Sequence, residues 1–163
     1  MRRRRLGAVV AVLSFLLVGI LAEAPTASAI QTPGGGDGGY GCSGYGCDHQ
    51  DPYATDCYLG AYIVGSSDMY ELFAPIGRVD LWYSPGCGTN WAEVDNIGLN
   101  GTATYRATIW RGSTSDTYQS QVSGTYTNML YAPKVVACAD GSMSYYDSWT
   151  GTTHGPFTAQ FCG

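Results

Sequence analysis

The sequence predicts an all-β fold, a small single-domain sandwich or barrel stapled by disulfides. Three observations carry this. No long stretch shows the period of an amphipathic helix. Turn signals recur roughly every eight to twelve residues between short alternating runs, the spacing of β-sandwiches and barrels. Six cysteines, an even number, follow a leader built for export, and such a chain reads as a disulfide framework.

The leader comes first. Arg2 to Arg5 form a positive region, Leu6 to Leu21 is apolar and uncharged, and Ala27-Ser28-Ala29 fits a small-residue cleavage pattern. Residues 1–29 therefore read as a secretory signal peptide, because the apolar run falls short of the about 20 residues of a bilayer span. Residues 30–41, rich in Gly and Pro without periodicity, read as a flexible leader, and residues 42–163 as the all-β domain. Beyond the signal peptide the basic residues are Arg78, Arg106, Arg111 and Lys134, set against twelve acids, a net charge of about −8 where the whole chain has −5. A nucleic-acid partner needs a basic patch, and an anionic membrane surface needs the same. Both are excluded as partners of the mature chain, and no cofactor is called for.

The elements follow in order. Cys42 to Asp56 is loop-rich, with Asp48, Asp51 and Pro52 as turn formers. Tyr58 to Val64 reads as a strand, and Tyr70 to Phe73 as a short strand broken by Pro75. In the central hairpin, Val79, Leu81 and Tyr83 alternate with Arg78, Asp80, Trp82 and Ser84. Ser84-Pro85-Gly86 breaks this strand and Trp91 to Val94 resumes it. Ile97 to Gly101 is a turn ending in Asn-Gly, the strongest short hairpin signal. Thr102 to Arg111 alternates, with Ala103, Tyr105, Ala107 and Ile109 on one face and Thr104, Arg106, Thr108 and Trp110 on the other. Gly112 to Ser123 reads as an exposed loop, Thr125 to Tyr131 as a strand ended by Pro133, and Val135 to Ala139 as a short apolar segment. Asp140-Gly141 reads as a turn into Met143 to Trp149. Phe157, Ala159 and Phe161 mark a final strand.

The run Cys47-Asp48-His49-Gln50-Asp51-Pro52 up to Cys57, then Val79-Asp80-Leu81-Trp82-Tyr83-Ser84-Pro85-Gly86-Cys87-Gly88-Thr89-Asn90-Trp91-Ala92, resembles the YjfA-like family of small secreted bacterial proteins, domain-of-unknown-function family 2690. Tyr126-Thr127-Asn128-Met129 with Tyr131-Ala132-Pro133 is similar to its later motif. The resemblance covers most of the mature chain and implies export and one compact domain. It supplies no catalytic residue. Position 93 departs from the pattern, carrying Glu where Arg is expected.

Six cysteines allow about 15 pairings. The pairing favoured here is Cys42–Cys47, Cys57–Cys87 and Cys138–Cys162. Zinc is the competing use of these residues, but no Cys-x-x-Cys pair occurs and export favours oxidation, so no metal is expected. Calcium would draw on Asp48, Asp51 and Asp56, residues that beside Pro and Gly serve mainly as turn formers. There is no nucleophile elbow of the Gly-x-Ser-x-Gly kind. His49 and His154 both adjoin turn residues and read as exposed loop histidines.

Asp80 and Glu93 are candidate cross-strand neighbours and would make the acid pair of a glycosidase, with Arg78 and Arg106 available to pair with them as surface ions. Trp82 and Trp110 each lie on the polar face of a strand. If the two strands share a sheet, the tryptophans stand on one outer surface beside Arg78 and Arg106, a platform for sugar rings or a protein. The expected function is an exported extracellular binding module for cell-wall polysaccharide or a protein partner. A secreted protease inhibitor, presenting Ser84–Asn90 or Gly112–Ser123, is the second reading. A small glycan hydrolase is the third.

Overall fold

The computed structural model describes residues 39–99, 102–112, 117–120 and 125–163, with 117–120 described by backbone alone. Residues 1–29, read above as a signal peptide, most of the stretch read as a leader, and Asn100 and Gly101, read as part of a turn, lie outside the described residues. Among the described residues no helix is long and apolar enough to cross a membrane.

The chain is all-β, a disulfide-stapled sandwich of two four-stranded antiparallel sheets rather than a closed barrel. Its strands are β1 (Tyr62–Glu71), β2 (Ala74–Ser84), β3 (Thr89–Asn96), β4 (Ala103–Arg111), β5 (Thr117–Ser120), β6 (Leu130–Tyr131), β7 (Ala137–Asp147) and β8 (Thr152–Cys162), with one 3-10 turn at Gly44–Cys47. The first sheet has the order β1-β2-β3-β6 and the second β5-β4-β7-β8.

The central hairpin forms as its alternation requires. Val79 and Leu81 of β2 and Ala92 and Val94 of β3 are fully buried and meet Ala107, Ile109, Ala139 and Met143 of the second sheet in one core. Arg78, Asp80 and Trp82 take the other face, opposite Asp95, Glu93 and Trp91 of β3. At the end of β3 the Asn96 carboxamide accepts the N–H groups of Gly98 (3.0 Å) and Leu99 (2.8 Å). This side-chain turn releases the chain from the first sheet toward the second.

Several elements differ from their sequence reading. Asp140-Gly141 is not a turn. Both residues lie inside β7, where Asp140 pairs with Thr108 and Gln160, and Gly141 with Ala107 and Ala159. Glycine is needed there because the sheets approach closely: a Cβ on Gly141 would stand 2.8 Å from Val79 Cβ and from Val94 Cγ2. Pro75 does not end a strand but sits in β2 opposite Tyr70, beside a bulge, where its missing donor is tolerated. The break falls instead at Leu72-Phe73, with Leu72 in the left-handed region at φ 55°. Tyr58 lies in a turn before β1 begins at Tyr62. The 112–123 segment contributes β5, paired to β4 from Ala107 to Trp110.

The 125–131 segment is a strand only at Leu130–Tyr131. Before that, Thr127 N–H bonds Ala92 C=O (2.9 Å), and Met129 exchanges backbone bonds with His49 and Gln50 (2.9 and 2.8 Å). The segment thus turns aside from β3 at Met129 to hold the N-terminal loop and returns to pair with it at β6.

Three bridges are present: Cys42–Cys47, Cys57–Cys87 and Cys138–Cys162. The first two belong to a second cluster, in which Cys47, Cys57, Cys87, Trp91 and Met129 are buried and Tyr40, Trp82 and Tyr126 pack against them. The N-terminal segment is therefore a cap over the outer face of the first sheet. The third bridge joins the register pair Cys138 and Cys162 of β7 and β8.

Replacing Gly141 by Ala should cost about 1–3 kcal/mol, since neither valine can withdraw without moving a strand. Urea unfolding of the oxidised protein would measure it as a lower midpoint at unchanged slope.

Candidate functional site

The outer face of the first sheet brings together the residues singled out for acid chemistry. Asp80 and Glu93 are cross-strand neighbours, as a hydrolase pair requires. Their surroundings commit Glu93 to another task. Its Oε1 accepts the indole N–H of Trp91 (2.9 Å) and the Tyr53 hydroxyl. Trp91 is 1 % exposed, so Glu93 satisfies a buried donor and clasps the cap to the sheet. An Arg in its place has no acceptor to offer.

Burial first, then the bond to Glu93, raises the Tyr53 phenol above its ordinary value. Partial desolvation raises the Asp95 carboxyl, though the residue reaches the surface, helped by the charges of Glu93 and Asp80 and a hydrogen bond with Asp80 and opposed by the charge of Arg78. Asp80 is 4 % exposed, and its Oδ1 has no hydrogen-bond partner among the described residues.

Arg78 does not pair with Asp80 or Glu93. It bonds Asp68 of β1 at 2.8 Å. Arg106 is exposed and lies on β4, in the other sheet.

The two tryptophans do not form a shared platform. Trp82 belongs to β2 and Trp110 to β4, strands of different sheets, so their outer faces point to opposite sides of the sandwich. Trp82 is half-buried and stacks on Trp91 at 5.8 Å with an interplanar angle of 4°, under the cap. Trp110 is half-buried and pairs in register with Cys138.

The remaining candidates serve the cap. Asp48 accepts the Tyr131 N–H and pairs with Arg111 at 3.2 Å. Asp51 accepts the N–H groups of Tyr53 (2.8 Å) and Ala54 (3.2 Å) and the Tyr126 hydroxyl (3.1 Å). These oxygens are spent on turn and loop anchoring rather than gathered around a cation. Asp56 sits in the same turn region at φ 59°. The Ser84–Asn90 loop buries Ser84, Cys87, Thr89 and Asn90, leaving Pro85 and Gly86 exposed. Of Gly112–Ser123, residues 113–116 and 121–123 lie outside the described residues.

The opposite end of the sandwich holds what sequence reasoning passed over. His154 is not an exposed loop residue; it is half-buried in β8 and pairs with Glu71, the last residue of β1, at 2.8 Å. The Tyr145 hydroxyl donates to the other Glu71 oxygen (2.5 Å), and its ring stacks on His154 at 4.8 Å. The bond to Glu71 pushes the Tyr145 phenol up to about 12. The bonds from Tyr145 and His154 hold the Glu71 carboxyl below its ordinary value.

This cluster ties the β1–β2 hairpin to the β7–β8 hairpin, so both tips emerge at one end. The tips are apolar and bare: Leu72 is 90 % exposed, Phe73 95 % and Trp149 97 %, with Tyr70 and Tyr146 each 54 % exposed below them. The sequence did hold a signal for Trp149. It stands in Asp147-Ser148-Trp149-Thr150-Gly151, a run of turn formers, where a tryptophan has no strand face to bury. Asp147 caps that turn by accepting the Trp149 N–H and the Thr150 hydroxyl, each at 2.8 Å.

Fold and surface define a small disulfide-braced β-sandwich, capped over one face and open at one end. A family model described as a protein of unknown function (DUF2690) matches residues 45–139, and the chain belongs to that family. No curated protein and no solved structure matches the chain.

Glu93→Ala should cost about 1–3 kcal/mol, the penalty for leaving the buried Trp91 N–H without its acceptor, while Glu93→Gln, which keeps a carbonyl oxygen, should cost less. Chemical denaturation of the two variants side by side would read the difference. A second expectation concerns pH. The folded state holds the Asp95 proton to higher pH than the unfolded chain does. The stability this group contributes is therefore full below the ordinary carboxylate value and lost as pH rises through the raised folded value. Asp95→Asn removes that loss, so the variant should be the more stable protein at pH 7, with the gap closing as pH falls into the carboxylate range. Unfolding free energies measured from pH 3 to 7 would test it.

Proposed function

We propose that this protein is an exported, non-enzymatic binding module that docks a protein partner outside the cell through its bare hairpin end. The observation that carries the reading is the exposure of Leu72, Phe73 and Trp149 on two tips held side by side by Glu71, Tyr145 and His154. Large apolar side chains fully in water serve no folding purpose, and a cluster of them marks a contact surface. Aromatic anchors of this kind fill pockets on a partner and dominate binding energy.

The remaining features agree with this reading. Three disulfides suit an oxidising compartment, and the leader residues 1–29 fit export. Glu93 is occupied by Trp91 and Tyr53, which favours a structural role for the acid pair over hydrolysis. The Ser84–Asn90 loop is mostly buried, which disfavours its use as an inhibitory loop. A glycan is the second reading, favoured by one observation: Trp149 stands fully exposed in a turn that also carries the hydroxyls of Thr150 and Thr152, bonded to each other.

Phe73→Ala and Trp149→Ala should each weaken capture of the partner at least about tenfold, the effect of losing one anchor of roughly 1.4 kcal/mol or more, with melting temperature unchanged. Trp82→Ala should instead destabilise the protein. Affinity for extracellular proteins and for solubilised wall glycans, measured in parallel on these variants, separates the two readings. Full binding by both tip variants would refute the hairpin-end assignment.

A further inference from the structure

Four of the six cysteine sulfurs form a single knot, three of the residues buried and Cys42 half-buried. The Sγ atoms of Cys42, Cys47, Cys57 and Cys87 all lie within 4.8 Å of one another. Within that knot Cys42 Sγ stands 3.7 Å from Cys57 Sγ, and Cys47 Sγ stands 4.0 Å from it. Sulfur atoms bound tetrahedrally to zinc at about 2.3 Å stand about 3.8 Å apart, so the two contacts to Cys57 already have the spacing of a tetrathiolate site and the remaining sulfurs lie within 4.8 Å. The four backbones are brought there by the fold and not by the bridges alone. Gly44 N–H bonds the carbonyl of Cys87 (2.8 Å), and Met129 pairs with His49 and Gln50 on the far side of Cys47. Trp91 and Met129 close over the knot.

We propose that these four cysteines make a second, metal-binding form of the cap: once both bridges are reduced, their thiolates take up one Zn(II) ion. Each bridge accepts two electrons and two protons from a dithiol, whose own sulfurs close into a disulfide, and yields two thiols. Binding zinc then replaces the four thiol protons by four S–Zn bonds, and the protons pass to solvent. Four soft thiolates select zinc over hard cations, and the ion restores the cross-links that reduction removes. Cys138 and Cys162 lie in the second sheet, outside the knot, and take no part.

The test reduces the protein anaerobically with a phosphine, which itself holds zinc poorly, and adds Co(II) and then Zn(II). One equivalent of Co(II) should give the intense visible absorption of a tetrahedral thiolate site, and Zn(II) should bleach it. Reactive thiols should fall from six to two on adding zinc, counted against the six cysteines of the chain. Near-ultraviolet circular dichroism from Trp82 and Trp91, lost on reduction, should return with zinc. The Cys138→Ser/Cys162→Ser double variant should keep the absorption, whereas Cys57→Ser and the half-exposed Cys42→Ser should each lose it. Six thiols still reactive in the presence of zinc, no return of the tryptophan signal, or an unchanged absorption in Cys57→Ser would each overturn the proposal.

Discussion

Trp91 sits on the face of the first sheet that points away from the core, and yet almost none of it reaches water. Its partner Trp82 lies parallel to it, and the surface of both is taken up by a segment with little regular structure of its own. What holds that segment down is the bridge from Cys57 to Cys87. It fastens the cap to the loop of the central hairpin across a sequence separation of 30, which for a loop of that size is worth about 3–4 kcal/mol of chain entropy. Without it, the contacts of Tyr53 with Glu93 and of Asp51 with Tyr126 would have to pay for ordering the whole segment. With it, each becomes a local contact between groups already brought together.

Much of the architecture was legible, because the physics that sets it is local. The alternation of Val79 and Leu81 with Asp80 and Trp82 marks a strand, and the structure turns Val79 and Leu81 to the core as read, while the face read as polar is itself covered by the cap, with Asp80 and Ser84 buried. Cys138 and Cys162 near the ends of two apolar strands suit a bridge between neighbours. What escaped the reading was non-local. Asp140-Gly141 has the composition of a turn, and only the nearness of the opposite sheet explains why a glycine belongs inside β7. Trp82 and Trp110 follow the same local rule, but which sheet a strand joins is not written in its own alternation. The loss of their shared platform is a topological outcome.

The candidate site was legible in pieces for the same reason. Asp80 and Glu93 were recognisable as neighbours from hairpin register, but the acceptor role of Glu93 depends on Tyr53, 40 residues away in sequence. Leu72 and Phe73 looked like the end of a strand because Pro75 looked like its stop. The proline is tolerated beside a bulge, and the true break falls at the two most apolar residues available. His154 was assigned to solvent because it adjoins turn residues, while its partner Glu71 lies on another hairpin.

All three bridges gather at one end of the sandwich, since Cys87 lies in the β2–β3 loop and Cys138 and Cys162 at the outer ends of β7 and β8. Arg111, at the end of β4, reaches Asp48 of the cap and links the sheets there. The bare tips stand at the other end. One result concerns the Cys138–Cys162 bridge, which closes a ring of chain whose far point is the turn carrying Trp149. A single cut by an endoprotease at that exposed turn would leave both pieces covalently joined and the rest of the strand pairing in place. The protein can therefore be nicked beside Trp149, the most exposed aromatic side chain among the described residues, without shedding a fragment.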